Sequence, residues 1–392
     1  MIFLDQPYVS DFLIDTLQKN SLAVVDTAAL DAFKLPESLN RISEEQAISR
    51  ATAPEPELIY TISENSIGWI AEHLTATSLP QQIERFKNKV KFRSLLQPMY
   101  PDFYFKAITL AELEQLDIEA LPMPFMIKPA VGFFSLGVHK VSKAADWNAV
   151  KAAIQAESSQ SQQLYPAEVV NESIWIIEQC IEGEEFAIDA YFDANGEAVI
   201  VGMFQHLFAS DSDVSDRVYV TSKAIIERYR QPFTEFLNQI NAFTQVRNFP
   251  MHVELRRSEQ WGLMPIEVNP MRFGGWCTTA DVTHLAYGFN PYLYYFSQQR
   301  PDWESLLQDK AGKLYSIIVL DNSTGIDGAA IAAFDYEKLL SRFEHPLELR
   351  RIDHTQYPVF GFLFTETCVE NKAELEFILR SDLTEFVTLH HL

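Results

Sequence analysis

The sequence predicts a mixed α/β protein, between the α/β and α+β classes, built from several packed lobes. Three observations support this fold class. The chain has 392 residues, which exceeds the size at which a single hydrophobic core stops growing. Residues 1–80 alternate short apolar runs with helical stretches, which is typical of a small parallel sheet. Residues 252–257 and 264–269 then predict two strands joined by a hairpin-like turn.

Composition and charge restrict the classes of partner. Hydrophobic residues make up 47% of the chain and charged residues 22%, as in an ordinary globular protein. The formal net charge of −23 argues against nucleic acid and against a membrane surface as main partners, because both reward basic surfaces. No apolar run approaches the ~18 residues that a membrane span needs. Without a secretory signal, and with three widely spaced cysteines, the chain is expected to be cytoplasmic.

Strands and helices continue to alternate after residue 80. Pro98 and Pro101 interrupt a helical region, and Pro129 is expected to end the strand FMIK. Later strands are predicted at 137–141, 174–192 with a turn at 182–183, 197–204, 314–320, 346–352 and 358–365, and helices at 223–245, 334–343 and 372–379. The tail is therefore predicted to be a further α/β piece.

Two carboxylates and one amide fall on the predicted hairpin. Glu267 and Asn269 are two residues apart and so share one face of their strand. If the two strands pair, Glu254 lies opposite or diagonal to Glu267. Mg²⁺ binds such oxygen ligands together with phosphate oxygens. The alternative, for each residue taken alone, is a solvated sheet edge.

Two further stretches suit phosphate groups. Arg272 offers a planar fork, and Gly274 and Gly275 allow backbone N–H groups to approach an anion closely. In KPAVGFFSLGV, Lys128 ends a strand and Ser135 lies in the following loop, which can fold over phosphates. Taken alone, a tight turn explains the first stretch and a plain β-hairpin explains the second.

The stretch EQCIEGEE brackets a turn with Glu178 and Glu185. A planar base can hydrogen-bond the backbone between the two strands, while a carboxylate accepts hydrogen bonds from ribose hydroxyls. An acidic surface turn is the simpler explanation of this stretch by itself.

Taken in order, these stretches resemble the ATP-grasp superfamily, and specifically its carboxylate–amine ligase branch, which includes D-alanine–D-alanine ligase and biotin carboxylase. The resemblance covers roughly residues 85–290. It rests on NKVKFR, IKPAVGFFSLGV, EQCIEGEEF and HVEL followed by IEVNPMRFGG. The spacings from Glu178 to Glu185 and from Glu254 to Glu267 also resemble those of the family. One such motif would be weak evidence for the family. Four motifs in this order outweigh the simpler explanations given above for each stretch alone.

The resemblance implies an ATP-grasp fold in four parts. We predict an N-terminal α/β domain at 1–85, a linker and lid subdomain at 86–175, a nucleotide- and metal-binding subdomain with an antiparallel sheet at 176–305, and a C-terminal α/β extension at 306–392. The extension matches no pattern we recognise. It is expected either to cover the site or to mediate a homodimer.

The resemblance also implies which residues bind ATP. Lys89 and Lys128 would contact the phosphates, with Lys91 as a weaker substitute for Lys89, and the loop that contains Ser135 would close over the nucleotide. The adenosine half would be bound by Glu178, Gln179 and Ile181 at the adenine and by Glu185 at the ribose.

Metal binding and phosphoryl transfer are assigned in the same way. The resemblance implies that Glu254, Glu267 and Asn269 hold two Mg²⁺ ions, for which Mn²⁺ can substitute. Arg272 would face the transferring phosphoryl group and, with Lys89 and Lys128, would offset its negative charge.

Substrate-binding residues are expected outside the nucleotide motifs. Arg217 lies in a polar stretch and is predicted to bind a substrate carboxylate, the alternative being a salt bridge with Asp213 or Asp216. The remaining candidates are Arg256, Gly274, Gly275 and Trp276.

The activity implied is ATP-dependent carboxylate–amine ligation through an acyl phosphate, with release of ADP and phosphate, on small amino-acid-like substrates. Two alternatives stay open: a small-molecule kinase of the same fold, and a non-catalytic nucleotide-binding protein. No general base is evident in the sequence.

Overall fold

Short parallel strands near the N-terminus are followed by longer antiparallel strands and by helices. The structure, a computed structural model, describes residues 1–132, 137–161, 171–210 and 215–390, with side chains omitted at 158–161 and 171–173. These residues divide into two compact units: unit 1 comprises 1–183, 190–199 and 235–277, and unit 2 comprises 184–189, 200–234 and 278–392. The four domains predicted above stay a prediction.

Most of the predicted strands are present, together with further short strands that were not predicted. They are β1 Ile2–Phe3, β2 Val24–Val25, β3 Arg41–Ile42, β4 Tyr60–Thr61, β5 Phe105–Thr109, β6 Phe125–Val131, β7 His139–Val141, β8 Asn171–Gln179, β9 Glu184–Phe192, β10 Ala198–Leu207, β11 Val218–Thr221, β12 Phe249–Ser258, β13 Gly262–Pro270, β14 Lys313–Asp321, β15 Ile331–Phe334, β16 Pro346–Arg351, β17 Val359–Cys368 and β18 Val387–Leu389.

The helices begin at side-chain caps in several cases, as at α1, where Ser10 accepts a hydrogen bond from the Leu13 N–H. They are α1 Asp11–Asn20, α2 Glu44–Ala51, α3 Ile67–His73, α4 Leu79–Lys87, α5 Lys89–Leu96, α6 Leu110–Leu113, α7 Trp147–Ser161, α8 Lys223–Thr244, α9 Thr278–Tyr287, α10 Pro291–Phe296, α11 Trp303–Leu306, α12 Tyr336–Leu340 and α13 Ala373–Arg380. In the part of the chain that is described, no helix has the length and apolarity needed to cross a bilayer.

The N-terminal sheet of unit 1 is parallel, as predicted. Its order is β3-β2-β1-β4, and each adjacent pair is parallel. The strands are short and their residues are buried almost throughout, because parallel strands are covered on both faces. This places the end of β4 inside unit 1, where polar residues follow the strand.

A second sheet of unit 1 has the antiparallel order β5-β8-β6-β7. Its core contains Phe125, Trp147 and Trp175, all at most 6% exposed. The predicted strand end at Pro129 was wrong, because β6 continues to Val131. Among the described residues, β7 pairs with the first three residues of β6, and Pro129 lies beyond that pairing. A proline, which has no N–H, is tolerated at such an edge of a sheet.

The predicted hairpin of β12 and β13 is present in unit 1. The two strands pair along their length in antiparallel register, from Met251 opposite Pro270 to Ser258 opposite Gly262. The register shifts by one residue after Glu254, where β13 carries an extra residue.

The tail after residue 305 contributes strands to the sheet of unit 2. In that sheet β14 pairs with β11 on one side and with β17 on the other, and β16 pairs with β17. Helix α9 packs against β14 and β17. The C-terminal extension is therefore part of a sheet that begins with earlier strands of the same unit.

Candidate active site

The hairpin of β12 and β13 places four polar side chains on one face. Glu254 lies directly opposite Glu267, and His252 lies opposite Asn269. Residues two apart on a strand share a face, and directly opposed residues of paired strands do so as well. Of the two arrangements that the sequence left open, the structure thus has the carboxylates directly opposed. His252 Nε2 lies 3.8 Å from Glu254 Oε1.

Lys89 lies against the second of these carboxylates. It is the first residue of α5, whose N-terminus is capped by Asn88. Its Nζ lies 2.9 Å from Glu267 Oε2 and donates to the carbonyl of Gly132 at 3.3 Å. Lys91, the weaker alternative, is half exposed and pairs with Glu84. Lys89 is therefore the lysine that joins the hairpin to the start of the predicted nucleotide loop.

The charges around Glu267 alter its titration. Burial alone would raise the pKa of this carboxyl, but the positive charges of Lys89 and then Lys87 outweigh it and lower the pKa below its ordinary value. Glu267 is therefore a carboxylate at neutral pH. An anionic oxygen pair is the form that binds a divalent cation.

Glu178 lies between two cations. Lys128 Nζ is 2.7 Å from its Oε1, and Arg93 Nε is 2.7 Å from its Oε2. The Glu178 carboxyl is only 2% exposed. Burial raises its pKa, yet the charges of Arg93 and Lys128 outweigh this and lower it to about 2. The predicted adenine residue is thus ionised at neutral pH and pairs with the predicted phosphate lysine.

The backbone after Glu178 is partly engaged. The Gln179 N–H donates to the Tyr104 carbonyl at 3.1 Å, and its side-chain oxygen accepts from the Tyr104 N–H at 2.9 Å. The Ile181 carbonyl accepts from Arg256 Nη1 at 2.5 Å. Ile181 itself is buried beside Phe103 and Met264, which is an apolar setting suited to a planar base.

Arg272 is held by a carboxylate that the sequence analysis did not single out. Its Nε and Nη2 donate to Glu64 Oε1 at 3.2 and 2.6 Å. Lys87 pairs with the other oxygen of Glu64. The Asn269 amide, in the orientation that suits its neighbours, donates to Glu64 Oε1 at 2.6 Å and to Glu267 Oε1 at 2.9 Å. Burial, and then the nearby charges of Lys89 and Arg272, lower the pKa of Lys87 well below its ordinary value despite Glu267.

Sequence reasoning missed Glu64, Lys87, Arg93 and His252. Glu64 follows strand β4 of the parallel sheet, and the carboxyl ends of parallel strands commonly form ligand crevices. That rule was available from the sequence, and it would have found Glu64. Arg93 follows Lys89 by four residues on α5 and Lys87 ends α4 just before it, but only the fold shows that these side chains are buried.

The chain from 271 to 277 has a strained backbone. Met271, Trp276 and Cys277 all have positive φ, at 68°, 56° and 58°, which costs about 1 kcal/mol or more for a residue with a side chain. Gly274 and Gly275 lie between these positions. The Trp276 ring stacks on Tyr8 with ring centroids 6.3 Å apart.

Arg217 is buried in unit 2 and is engaged there. Its Nε lies 2.5 Å from Asp321 Oδ1, and it donates to the carbonyls of Ile378 and Ser381 and to the hydroxyl of Ser323. Of the two predicted ion-pair partners, Asp216 accepts from the Tyr219 hydroxyl, and position 213 lies outside the described residues. These contacts explain Arg217 without a ligand, and its substrate role stays a prediction.

Two predicted nucleotide-binding residues remain, Glu185 and Ser135. Glu185, in unit 2, accepts a hydrogen bond from His206 with Oε1 3.0 Å from Nδ1, and Nε2 of that ring lies 2.9 Å from the Ser215 carbonyl. The ribose role of Glu185 stays a prediction. Ser135 falls outside the described residues.

Whether the candidate site can hold Mg²⁺ depends on the oxygen atoms that its side chains offer. Among the described residues, no group of three or more His, Cys, Asp and Glu side chains could by itself hold a metal ion. Glu254 and Glu267 are nevertheless opposed carboxylates with Asn269 beside them. Mg²⁺ is typically bound by one or two carboxylates with substrate phosphates completing its shell. The residues present therefore fit a metal that arrives with a nucleotide.

Comparisons with known proteins agree with the motifs. Residues 121–280 match the ATP-grasp domain family. The L-amino acid ligase of Bacillus licheniformis superposes with a TM-score of 0.68 at 17% identity, over 100% of this chain and 98% of that one. N5-carboxyaminoimidazole ribonucleotide synthetase of Thermotoga maritima gives 0.61 at 12% identity over 100% and 99%, and biotin carboxylase of Campylobacter jejuni gives 0.60 at 12% over 99% and 92%. No curated protein sequence matches the chain.

The fold and the site define a class. Residues 121–280 form an ATP-grasp domain, and the chain has the ATP-grasp fold along its whole length. The resemblance to the ATP-grasp superfamily drawn from the sequence is thereby confirmed.

Proposed function

We propose that this protein is an ATP-dependent carboxylate–amine ligase that forms an amide bond through an acyl phosphate and releases ADP and phosphate. The observation that carries the proposal is the pair of opposed carboxylates, Glu254 and Glu267, with Lys89 on the second of them. This arrangement supplies metal ligands and a phosphate cation at one place, and both carboxylates lie in residues 121–280, which match the ATP-grasp domain family.

The nucleotide would be bound mainly by residues of unit 1. Lys128 is oriented by Glu178, and Lys89 is oriented by Glu267 and by the Gly132 carbonyl. Both ammonium groups are buried, so their attraction to phosphate is screened less than on a surface. Ile181, beside other apolar side chains, would contact the adenine.

Metal ions would be held by Glu254, Glu267 and Asn269. Two bound Mg²⁺ ions, or Mn²⁺ in their place, would neutralise phosphate charge during transfer. The protein's own part is to keep Glu267 ionised, which its lowered pKa achieves near neutral pH.

The reaction would proceed in two steps. A substrate carboxylate oxygen attacks the γ-phosphorus of ATP, the bond to the β-phosphate oxygen breaks, and ADP leaves. Arg272, held by Glu64, would offset the charge on the transferring group. The amine then attacks the acyl carbon, and phosphate departs as the amide forms.

Small amino-acid-like substrates fit the comparisons and the remaining residues. The L-amino acid ligase is the neighbour with the highest TM-score of those named above, and it is matched over the whole chain. Arg256 and the segment of Gly274, Gly275 and Trp276 would line the acceptor side. We also propose a cytoplasmic setting, and a homodimer is the assembly to test, since one biotin carboxylase domain of this fold is described as a dimer.

A substrate screen tests the proposal. ADP and free phosphate are measured with Mg²⁺-ATP and pairs of amino acids, with Glu267→Ala as the inactive control. Hydroxylamine replaces the amine in a parallel set, where an acyl phosphate yields a hydroxamate. We expect ADP and free phosphate to appear only with a suitable carboxylate, and the amounts of both to increase when the amine is added.

Each alternative predicts a different result. A kinase would release ADP but no amine-dependent phosphate, because the phosphoryl group stays on its product. A non-catalytic protein would bind nucleotide and release no ADP with any pair. Either result across a full set of pairs would overturn the ligase proposal.

A further inference from the structure

Glu64 is a buried carboxylate to which the proposed reaction assigns no role. It follows β4 in a short helical turn, where the Ser63 side chain accepts from the Asn65 N–H. Only 4% of Glu64 is exposed. A carboxylate this deeply buried is costly unless charged or polar groups surround it.

The groups around Glu64 are those proposed to act on the phosphoryl group and its metal ions. Glu64 Oε1 accepts hydrogen bonds from Nε and Nη2 of Arg272 and from the amide of Asn269. Glu64 Oε2 pairs with Lys87. One side chain thus fixes the direction of an arginine and of an amide that would both face the nucleotide.

Hydrogen bonds from residues just before Glu64 also hold the turn at residues 271–273, which carries Arg272. The Thr61 N–H and its hydroxyl both donate to the Met271 carbonyl, at 2.8 and 3.3 Å. The Phe273 N–H donates to the Tyr60 hydroxyl at 2.9 Å. Met271 is strained at φ 68°, and such strain persists only where the surroundings over-determine the conformation. The end of β4 therefore shapes the turn that presents Arg272.

We propose that Glu64 is a positioning residue, which holds Arg272 and Asn269 in the orientation that binds the γ-phosphoryl group and its metal ions. The inference rests on the proposed function. Arginine carries about 2 kcal/mol of rotamer entropy, and a guanidinium that is already held loses less of it when phosphate binds. Lys87 pairs with the other oxygen of the same carboxylate, so both oxygens of Glu64 are engaged and its orientation is fixed.

Equilibrium nucleotide binding tests this role without knowledge of the other substrates. The affinities of the full chain for Mg-ADP and for Mg-β,γ-imido-ATP are measured by calorimetry for the wild type, Glu64→Gln and Glu64→Asp. Glu57→Gln is the matched control, because Glu57 is a paired carboxylate of the same N-terminal region that contacts Met1 and Arg50. Only the triphosphate analogue carries the γ group.

We expect Glu64→Gln to weaken binding of the triphosphate analogue about tenfold more than binding of ADP, which is the effect of one charged hydrogen bond. Glu64→Asp should restore part of that difference, and Glu57→Gln should leave the ratio of the two affinities unchanged. In an Arg272→Lys background, Glu64→Gln should add little, since residues that act as a unit are not additive.

Loss of folding is controlled by a variant that removes both members of the buried pair. Glu64→Gln with Lys87→Met leaves neither partner uncompensated and should show the same selective loss. If the wild type binds both nucleotides and Glu64→Gln leaves their ratio unchanged, the positioning role is wrong while the proposed function stands. If the wild type binds neither nucleotide, the proposed function fails and this inference fails with it.

Discussion

Single residues of the candidate site are linked by buried ion pairs. The pairs are Lys128 and Arg93 with Glu178, Lys89 with Glu267, and Arg272 and Lys87 with Glu64. Removing one partner of a buried pair leaves an uncompensated charge, which typically costs 3–5 kcal/mol, on the order of half of a domain's stability. Variants at this site are therefore expected to change stability as well as activity, so affinity ratios are better readouts than rates.

The low pKa of Glu178 predicts how the free energy of unfolding depends on pH. Its pKa falls from 4.5 to about 2 on folding, so the folded state favours the ionised form. That contribution is fully present above pH 4.5, amounts to about 3 kcal/mol, and is lost as pH falls toward 2. We expect the free energy of unfolding to be lower for Glu178→Gln than for the wild type at pH 7, and the difference to shrink below pH 4.5.

Denaturant unfolding of both proteins at pH 7, 5 and 3 measures this difference. Glu366→Gln is a suitable control, because this partly buried carboxylate pairs with an exposed lysine, Lys313, and should show a smaller effect. A stability difference between Glu178→Gln and the wild type that is the same at all three pH values would contradict the assignment.

Among the elements, the hairpin of β12 and β13 was predictable and the role of the tail was not. The hairpin follows from two alternating strands and a short turn, so local pattern suffices. The tail strand β14 pairs with β11, which precedes it by about a hundred residues, and such long-range pairing leaves no local pattern. Arg217 shows the same contrast, since its partner Asp321 lies on β14.

Arg217 is predicted to stabilise unit 2. We expect Arg217→Ala to lower the free energy of unfolding by about 3 kcal/mol, because it strips the Asp321 carboxylate and the carbonyls at the end of α13 of their donor. Hydrogen exchange should accelerate around residues 378–383. The control is Arg342→Ala, whose partner Glu385 is exposed and whose loss should cost less than about 1 kcal/mol.

The two roles of Arg217 can be separated. If it bound a substrate carboxylate instead, Arg217→Ala would raise the KM for that substrate while exchange near 378–383 stayed at the wild-type rate.

The whole molecule is strongly acidic, yet its candidate site gathers cations. The chain has a formal net charge of −23, while Lys87, Lys89, Arg93, Lys128 and Arg272 are all nearly buried in unit 1. Local positive charge inside an acidic protein suits a small anionic ligand, and the overall charge disfavours polyanions.

Ligand binding should therefore stabilise the folded protein. With Mg-ADP at a hundred times its dissociation constant, a gain of about 2.7 kcal/mol is expected, seen as a higher melting temperature. Lys89→Met should remove most of that gain, because the buried lysine would bind phosphate. Lys91→Met should retain it, since Lys91 is half exposed and pairs with Glu84. Equal losses in the two variants would argue against the assignment of Lys89.

The sequence by itself determined the order of the motifs, the α/β class and the opposed strands that carry Glu254, Glu267 and Asn269, because each depends on local periodicity and short spacing. Only the tertiary structure decided which charges meet. Glu64 reaches Arg272 across about two hundred residues of chain, and Arg93 reaches Glu178 across about eighty-five. Burial makes these pairs strong, and burial is a property of the packed chain that no single stretch contains.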